Sequence, residues 1–265
     1  LILGNHLEYF KPGVSAGLFM FKKEHQLGTE ILIITVMSFV SGTVTSALGF
    51  GAGLVLTPLL TFLMPIKQAL AVSSLVFFVT SASKAYIYRK EIDWSMYRKG
   101  LPLSLIGVVV GAFSVSVVNP VFLESFLGLA LIYFSLNAIL KKDGNKSFIP
   151  TFLFPVMGGF MSIMTHAGGA FFFRYCRINK LDRMATVATL SGVHFTLNVC
   201  KTGFFLAAGF AATSYIYMLI PAYIASVIGT NFGRYILKNH LNEDLFAKGV
   251  GIMLMILAMK FLFMN

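Results

Sequence analysis

Carboxylates are scarce in this sequence: its 265 residues hold 10 Asp and Glu against 21 Lys and Arg, and only 12% are charged. A soluble domain carries about a quarter charged residues, so this composition excludes an ordinary water-soluble globule. Without clustered carboxylates or thiolates in its apolar runs, the chain has no means of selecting a cation or a metal ion. The two cysteines, Cys176 and Cys200, allow at most one disulfide; one adjoins a basic segment and the other lies inside an apolar run, so free thiols are expected. There is no HExxH, no zinc-spaced Cys/His set and no CxxC, and no cofactor is implied. A cleavable signal, a short apolar stretch closing on small residues, is not expected either.

What is abundant is apolar surface. Hydrophobic residues make up 57% of the chain and 27 residues are Phe, with a mean hydropathy of +0.81. Long uncharged runs at this composition read as a polytopic membrane protein in contact with a lipid bilayer. The net charge of +11 would suit nucleic acid. The basic residues, however, sit in short segments between apolar runs (Arg89, Lys90, Arg98, Lys99; Lys141, Lys142, Lys146; Arg174, Arg177, Lys180, Arg183), the pattern of cytoplasmic loops, and no nucleic-acid partner is expected.

Residues 1–29 are mixed in character and are set apart as an interfacial or added segment. Residues 31–66 carry no charge and have Gly49, Gly51 and Gly53 at their middle. The run is too long for one span of about 20 residues and tight for two, which predicts a broken or re-entrant helical hairpin. Spans follow at about 68–87, 100–118 and 121–140. After the basic segment the pattern restarts: residues 150–173 contain Gly158, Gly159, Gly168 and Gly169, and spans at about 185–206, 215–236 and 245–264 complete the chain.

The second half repeats the first. At an offset of 117 (159 − 42), Gly42 falls on Gly159, Gly51 on Gly168, Ser74 on Ser191, Ser81 on Asn198 and Lys84 on Lys201; further on, Pro102 meets Pro221. Basic segments at 84–99, 141–146, 174–183 and 234–248 contrast with 119–124 and 207–214, which hold no Lys or Arg. Positive-inside then orients the halves oppositely. The expected fold is all-α, a polytopic helical membrane protein of two inverted repeats, 30–146 and 147–265, each a glycine-broken hairpin plus three spanning helices.

Candidate site residues follow from the breaks. A half-helix starting at a glycine cluster points unpaired amides and its positive dipole end at the midplane, which suits an anion. Close helix packing is the simpler reading of one such cluster; two at matched positions favour the anion. The second cluster, Thr165-His166-Ala167-Gly168-Gly169-Ala170, puts His166 where the first has Gly49. That histidine would bind an anion, carry a proton, or bond a neighbouring backbone group, and all three stay open. Ser191, His194, Asn198 and Lys201 are spaced 0, 3, 7 and 10 on one helical face, and their counterparts are Ser74, Phe77, Ser81 and Lys84. A polar stripe in an apolar helix must face protein or water. A buried lysine needs an anion beside it, unless it snorkels to the interface. A dinucleotide loop or P-loop fails for lack of a preceding strand and a Lys-Ser/Thr pair. An intramembrane enzyme built on Ser191 and His194 fails for lack of a third orienting group and of GxSxG.

The G-x-G-x-G run 49–53 followed by Pro58, the second glycine-rich copy, the lysine on the following helix and the loop Tyr88-Arg89-Lys90-Glu91-Ile92-Asp93-Trp94 resemble the TauE/SafE family of sulfite and organosulfur anion exporters over residues 30–265. Gly49, Gly51, Gly53, Gly168 and Gly169 match the family's glycine motifs, while His166, Ala170 and Tyr175 depart from the second. The resemblance implies a secondary transporter, not an enzyme, in a bacterial inner membrane, exporting sulfite, a sulfonate or a related small sulfur-containing anion. The expected binding residues are Gly49, Gly51, Gly53, Ser74, Lys84, His166, Gly168, Gly169, Ser191, His194, Asn198 and Lys201. A proton-coupled carrier of a small carboxylate or other anion, with His166 and His194 as the groups that keep proton coupling open, and a non-transporting membrane scaffold are the rival readings, and a homodimer is left open.

Overall fold

In the computed structural model the residues described are 28–44, 53–140, 149–210, 216–239 and 243–263. Among them the chain is helical throughout, without a strand. The helices are α1 (Gly28–Val44), α2 (Gly53–Leu60), α3 (Ile66–Ile87), α4 (Trp94–Val117), α5 (Pro120–Leu140), α6 (Leu153–Met164), α7 (Gly169–Ile178), α8 (Arg183–Ala207), α9 (Ile216–Asn239) and α10 (Glu243–Phe263). Of these, α3, α4 and α5 contain stretches long and apolar enough to cross a membrane; α1, α6 and residues 218–233 of α9 are shorter apolar helices. The 22 residues of α3 rise about 33 Å, enough for a hydrocarbon core of about 30 Å.

Local sequence sets several boundaries. Asp93 starts α4 by accepting a hydrogen bond from the Met96 amide at 2.8 Å, and Asp182 starts α8 by accepting from the Ala185 amide at 2.9 Å, both as N-caps. Pro120 opens α5, where its missing N–H costs nothing, and the Asn119 side chain accepts from Val121 N at 2.9 Å. Along residues 102–117 of α4 the exposed residues are apolar except Ser116, among them Ile106, Val109, Val110, Phe113 and Val117. A face of that kind is soluble only in lipid.

Two helix pairs pack antiparallel. α3 lies antiparallel to α8: Asn198 reaches Ser81 and, one turn on, Thr202 reaches the Ser74 carbonyl. α5 lies antiparallel to α10, with Gly128 against Phe261 and the Ser135 hydroxyl donating to the Gly251 carbonyl at 2.7 Å. Two further crossings rest on glycine. At Gly159 of α6 a Cβ would run into the Ser104 carbonyl of α4, and at Gly42 of α1 into the Ser226 carbonyl of α9. Reciprocally, Gly107 of α4 faces the Val156 carbonyl and Gly229 of α9 faces the Phe39 carbonyl. In lipid, where hydrophobicity does not draw helices together, such close backbone approach is what holds a crossing.

The start of α4 closes over α8. Ile92 and Tyr97 lie against Gly192, the Asp93 amide donates to Thr189 Oγ1 at 3.0 Å, and the Tyr97 and Thr196 hydroxyls are 2.7 Å apart. Trp94 stacks edge-on against Tyr97, 5.3 Å between ring centres.

Candidate functional site

The break between α6 and α7 is built by its own residues. With 12 and 10 residues, these helices rise about 18 and 15 Å, so neither crosses a bilayer alone. The Thr165 amide and hydroxyl both turn back to the Met161 carbonyl, at 3.0 Å each, and Thr165 Oγ1 accepts from the Ala167 amide at 3.3 Å. Gly168 packs on the Gly158 carbonyl and Ser162, where a Cβ has no room, which lets α7 fold back against α6. Between them His166 adopts φ +60. That left-handed conformation costs a non-glycine residue about 1–2 kcal/mol, so the ring must be held by something else.

It is held by the first half of the chain. His166 is 6% exposed; its Nδ1 lies 3.2 Å from Thr57 Oγ1 of α2 and its Nε2 3.0 Å from Ser74 Oγ of α3. Thr57 in turn donates to Ser73 Oγ at 3.0 Å, and the Phe77 ring stands 5.4 Å from the imidazole.

Lys201 lies beside the same break, 2% exposed. It does not snorkel to the interface. Its Nζ donates to the carbonyl and hydroxyl of Ser162, at 3.1 and 2.9 Å. Ser162 belongs to the last turn of α6, whose carbonyls form the negative end of the helix dipole. The third ammonium proton has no acceptor among the described residues. Lys201 is within electrostatic reach of His166 and His194, and His194 is also within reach of Lys84. No carboxylate among the described residues acts on Lys201 or on either histidine.

The stripe on α8 divides by task. Asn198 spends its amide on the Phe77 carbonyl and on Ser81 Oγ, at 3.2 and 3.0 Å, which ties α8 to α3. The Ser191 hydroxyl turns back to the Val187 carbonyl at 2.7 Å. His194 is half-buried, and so is Lys84, near the end of α3. Gly169 opens α7 and Gly53 opens α2; Gly49 and Gly51 lie outside the described residues. Ser74, Ser81, His166, Asn198 and Lys201 are thus brought together with three residues that the spacing did not mark: Thr57, Ser73 and Ser162. Among the described residues no group of His, Cys, Asp and Glu could hold a metal ion.

Apolar spans around a buried helix break that bears a histidine and a lysine define the class: a polytopic helical membrane protein. A family model described as Sulfite exporter TauE/SafE matches residues 34–261, and the chain belongs to that family of membrane transporters, which are not enzymes. A protein of Bacillus subtilis (strain 168), described as "Probable membrane transporter protein YunE", is 30% identical over 143 residues, 46% of this chain and 51% of that protein. The chain spans about half the length of this curated relative. No solved structure matches it.

Proposed function

We propose that the chain is a secondary transporter that exports a small sulfur oxyanion, sulfite or a related organosulfur or sulfonate anion, across a bacterial inner membrane. The anion would bind near the midplane between the two glycine-rich breaks. The observation that carries this reading is the composition of the cluster: buried Lys201 and His166 with half-buried His194 and Lys84, linked through Lys201 and His194, and no carboxylate of the described residues acting on Lys201 or the histidines. An ammonium group at membrane depth costs about 2.5–3.5 kcal/mol on insertion scales, and a bound anion cancels that cost. The third proton of Lys201 and the first amides of α7, which no helix can satisfy internally, are the donors such a ligand would take up. Lys84 would add positive potential from the other half, and Ser74 a hydroxyl donor.

Duplication is part of the proposal. Antiparallel packing of α3 on α8 and of α5 on α10 supports two oppositely oriented repeats, 30–146 and 147–265. So does the reuse of matched glycine crossings, Gly159 on Ser104 and Gly42 on Ser226. An inside-negative potential drives each net negative charge that crosses outward by about 2.3 kcal/mol per 100 mV, which favours export of any species that crosses as an anion.

The test is flux of labelled sulfite, thiosulfate and sulfonates in proteoliposomes. Lys201→Ala removes a charge-assisted hydrogen bond worth about 2 kcal/mol, and flux should fall about 30-fold while the protein remains monodisperse. Wild-type flux in that variant overturns the site, and wild-type failure to move any anion of the panel overturns the transport reading.

A further inference from the structure

We propose, building on the transport reading, that His166 carries a proton together with the anion: a proton taken up on Nε2 reverses the hydrogen bond with Ser74 and frees the Ser74 hydroxyl to donate to the bound anion. The geometry is a count of protons in a four-member relay. Thr57 has one hydroxyl proton and donates it to Ser73 Oγ. Its contact with His166 Nδ1 is therefore one in which Thr57 Oγ1 accepts, and Nδ1 carries the hydrogen. A neutral imidazole has a single N–H, so Nε2 is the acceptor and Ser74 the donor at 3.0 Å. In that state the only hydroxyl proton of Ser74 is committed to the ring.

An imidazolium has two N–H groups and no acceptor. When Nε2 gains a proton, the Thr57 end of the relay stays as it is and only the Ser74 bond changes sense: Nε2–H donates and Ser74 Oγ accepts. The released hydroxyl proton then turns to another acceptor. An anion held by Lys201 would supply one, since Lys201 is within electrostatic reach of the His166 ring to which the Ser74 hydroxyl is bonded.

Without an anion the ammonium of Lys201 repels a second proton on the His166 ring, so the ring takes that proton only together with an anion that offsets the charge. α8 presents Lys201 and His194; α2 presents the Thr57 hydroxyl and α3 the Ser74 hydroxyl and the Phe77 ring. No carboxylate among the described residues acts on the ring. A proton and an anion in this site offset each other's charge, so each strengthens the binding of the other, and linkage makes the effect reciprocal. The left-handed backbone at His166 fits a position where the ring is indispensable, because a glycine there would avoid the strain. Nothing is oxidised or reduced. One proton enters Nε2 on one side of the membrane and leaves on the other with the anion.

The experiment uses anions that hold no proton of their own near neutrality, thiosulfate and methanesulfonate, at equal concentration inside and outside proteoliposomes clamped at zero potential. A gradient of one pH unit, acid outside, is imposed. With one proton per anion, wild-type protein accumulates label inside up to about tenfold, the ratio that one pH unit represents. His166→Gln, whose amide offers a donor and an acceptor but takes no proton, stays at unity however long exchange is allowed to run. Label exchange without accumulation in the wild type overturns this inference and leaves the transport reading standing, and so does accumulation that persists in His166→Gln. Absence of exchange of both anions, in vesicles that do pass labelled sulfite, overturns the inference and leaves the transport reading standing; absence of sulfite flux as well removes both. If the glutamine variant does not fold, His166→Asn takes its place, and wild-type exchange without accumulation overturns the inference in either case.

Discussion

Gly159→Ala puts the helix packing to a quantitative test. A Cβ at this position would fall inside contact distance of the Ser104 carbonyl oxygen, with the carbonyl carbon and Cα of the same residue close behind. All three atoms are backbone, so no side-chain rotation relieves the clash, and α4 and α6 must move apart by about 1.5 Å to restore ordinary contact. Overpacking costs about 1–3 kcal/mol in well-packed interiors. With backbone on both sides and nothing flexible to yield, the upper value applies. At about 2–4 °C per kcal/mol for a chain of this size, the melting temperature in detergent should fall by about 6–12 °C, as read by size-exclusion chromatography after heating. Gly42→Ala, which meets the Ser226 carbonyl in the same way, should fall by a similar amount. Gly203→Ala is the control: a Cβ there meets nothing within 4 Å, and removing a glycine from the interior of α8 gains about 0.5–1 kcal/mol. If Gly159→Ala melts with the wild type, or if Gly203→Ala drops as far, close backbone approach does not hold these helices together.

Two further substitutions probe the site. His166→Gly relieves the left-handed strain, about 1 kcal/mol, but strips Thr57 and Ser74 of their common partner, at about 1 kcal/mol each. It should melt a few degrees lower and lose anion flux, and a variant that is both more stable and fully active would show the ring to be dispensable. Asn198→Leu removes the bonds to the Phe77 carbonyl and Ser81, costing about 1–3 kcal/mol. In a double-mutant cycle with Ser81→Ala the two changes should couple by about 1 kcal/mol, and strict additivity would deny the contact.

Much of the helix layout was legible because lipid imposes a simple rule: uncharged runs span, and charged segments do not. The expected spans at 68–87 and 121–140 correspond to α3 and α5 within two residues, the span at 100–118 to α4, which begins earlier at Trp94, and the second glycine cluster falls at a real interruption between α6 and α7. The polar stripe on α8 predicted the burial of Asn198 and Lys201, because a helical face is a matter of spacing alone. Spacing could not say which partner each would find. Ser162 became the acceptor for Lys201 because α6 stops two residues later, and where a helix stops depends on how Thr165 and Gly168 pack in three dimensions. Thr57 and Ser73 were hidden for a related reason: hydroxyls are common in apolar helices and usually bond back to their own turn, as Ser191 does with Val187. Only the fold shows which of them face a histidine 109 positions away.

Trp94 is the sole tryptophan of the chain, and its ring rests on Tyr97, which reaches across to Thr196 midway between His194 and Asn198. Excited at the red edge of its absorption, where the 10 tyrosines do not absorb, this chain therefore emits from one source, fixed one phenol away from the helix that bears the stripe. Any tilt of that helix during turnover would alter the surroundings of a single indole, so the unlabelled wild-type molecule already contains an optical reporter of its working cycle.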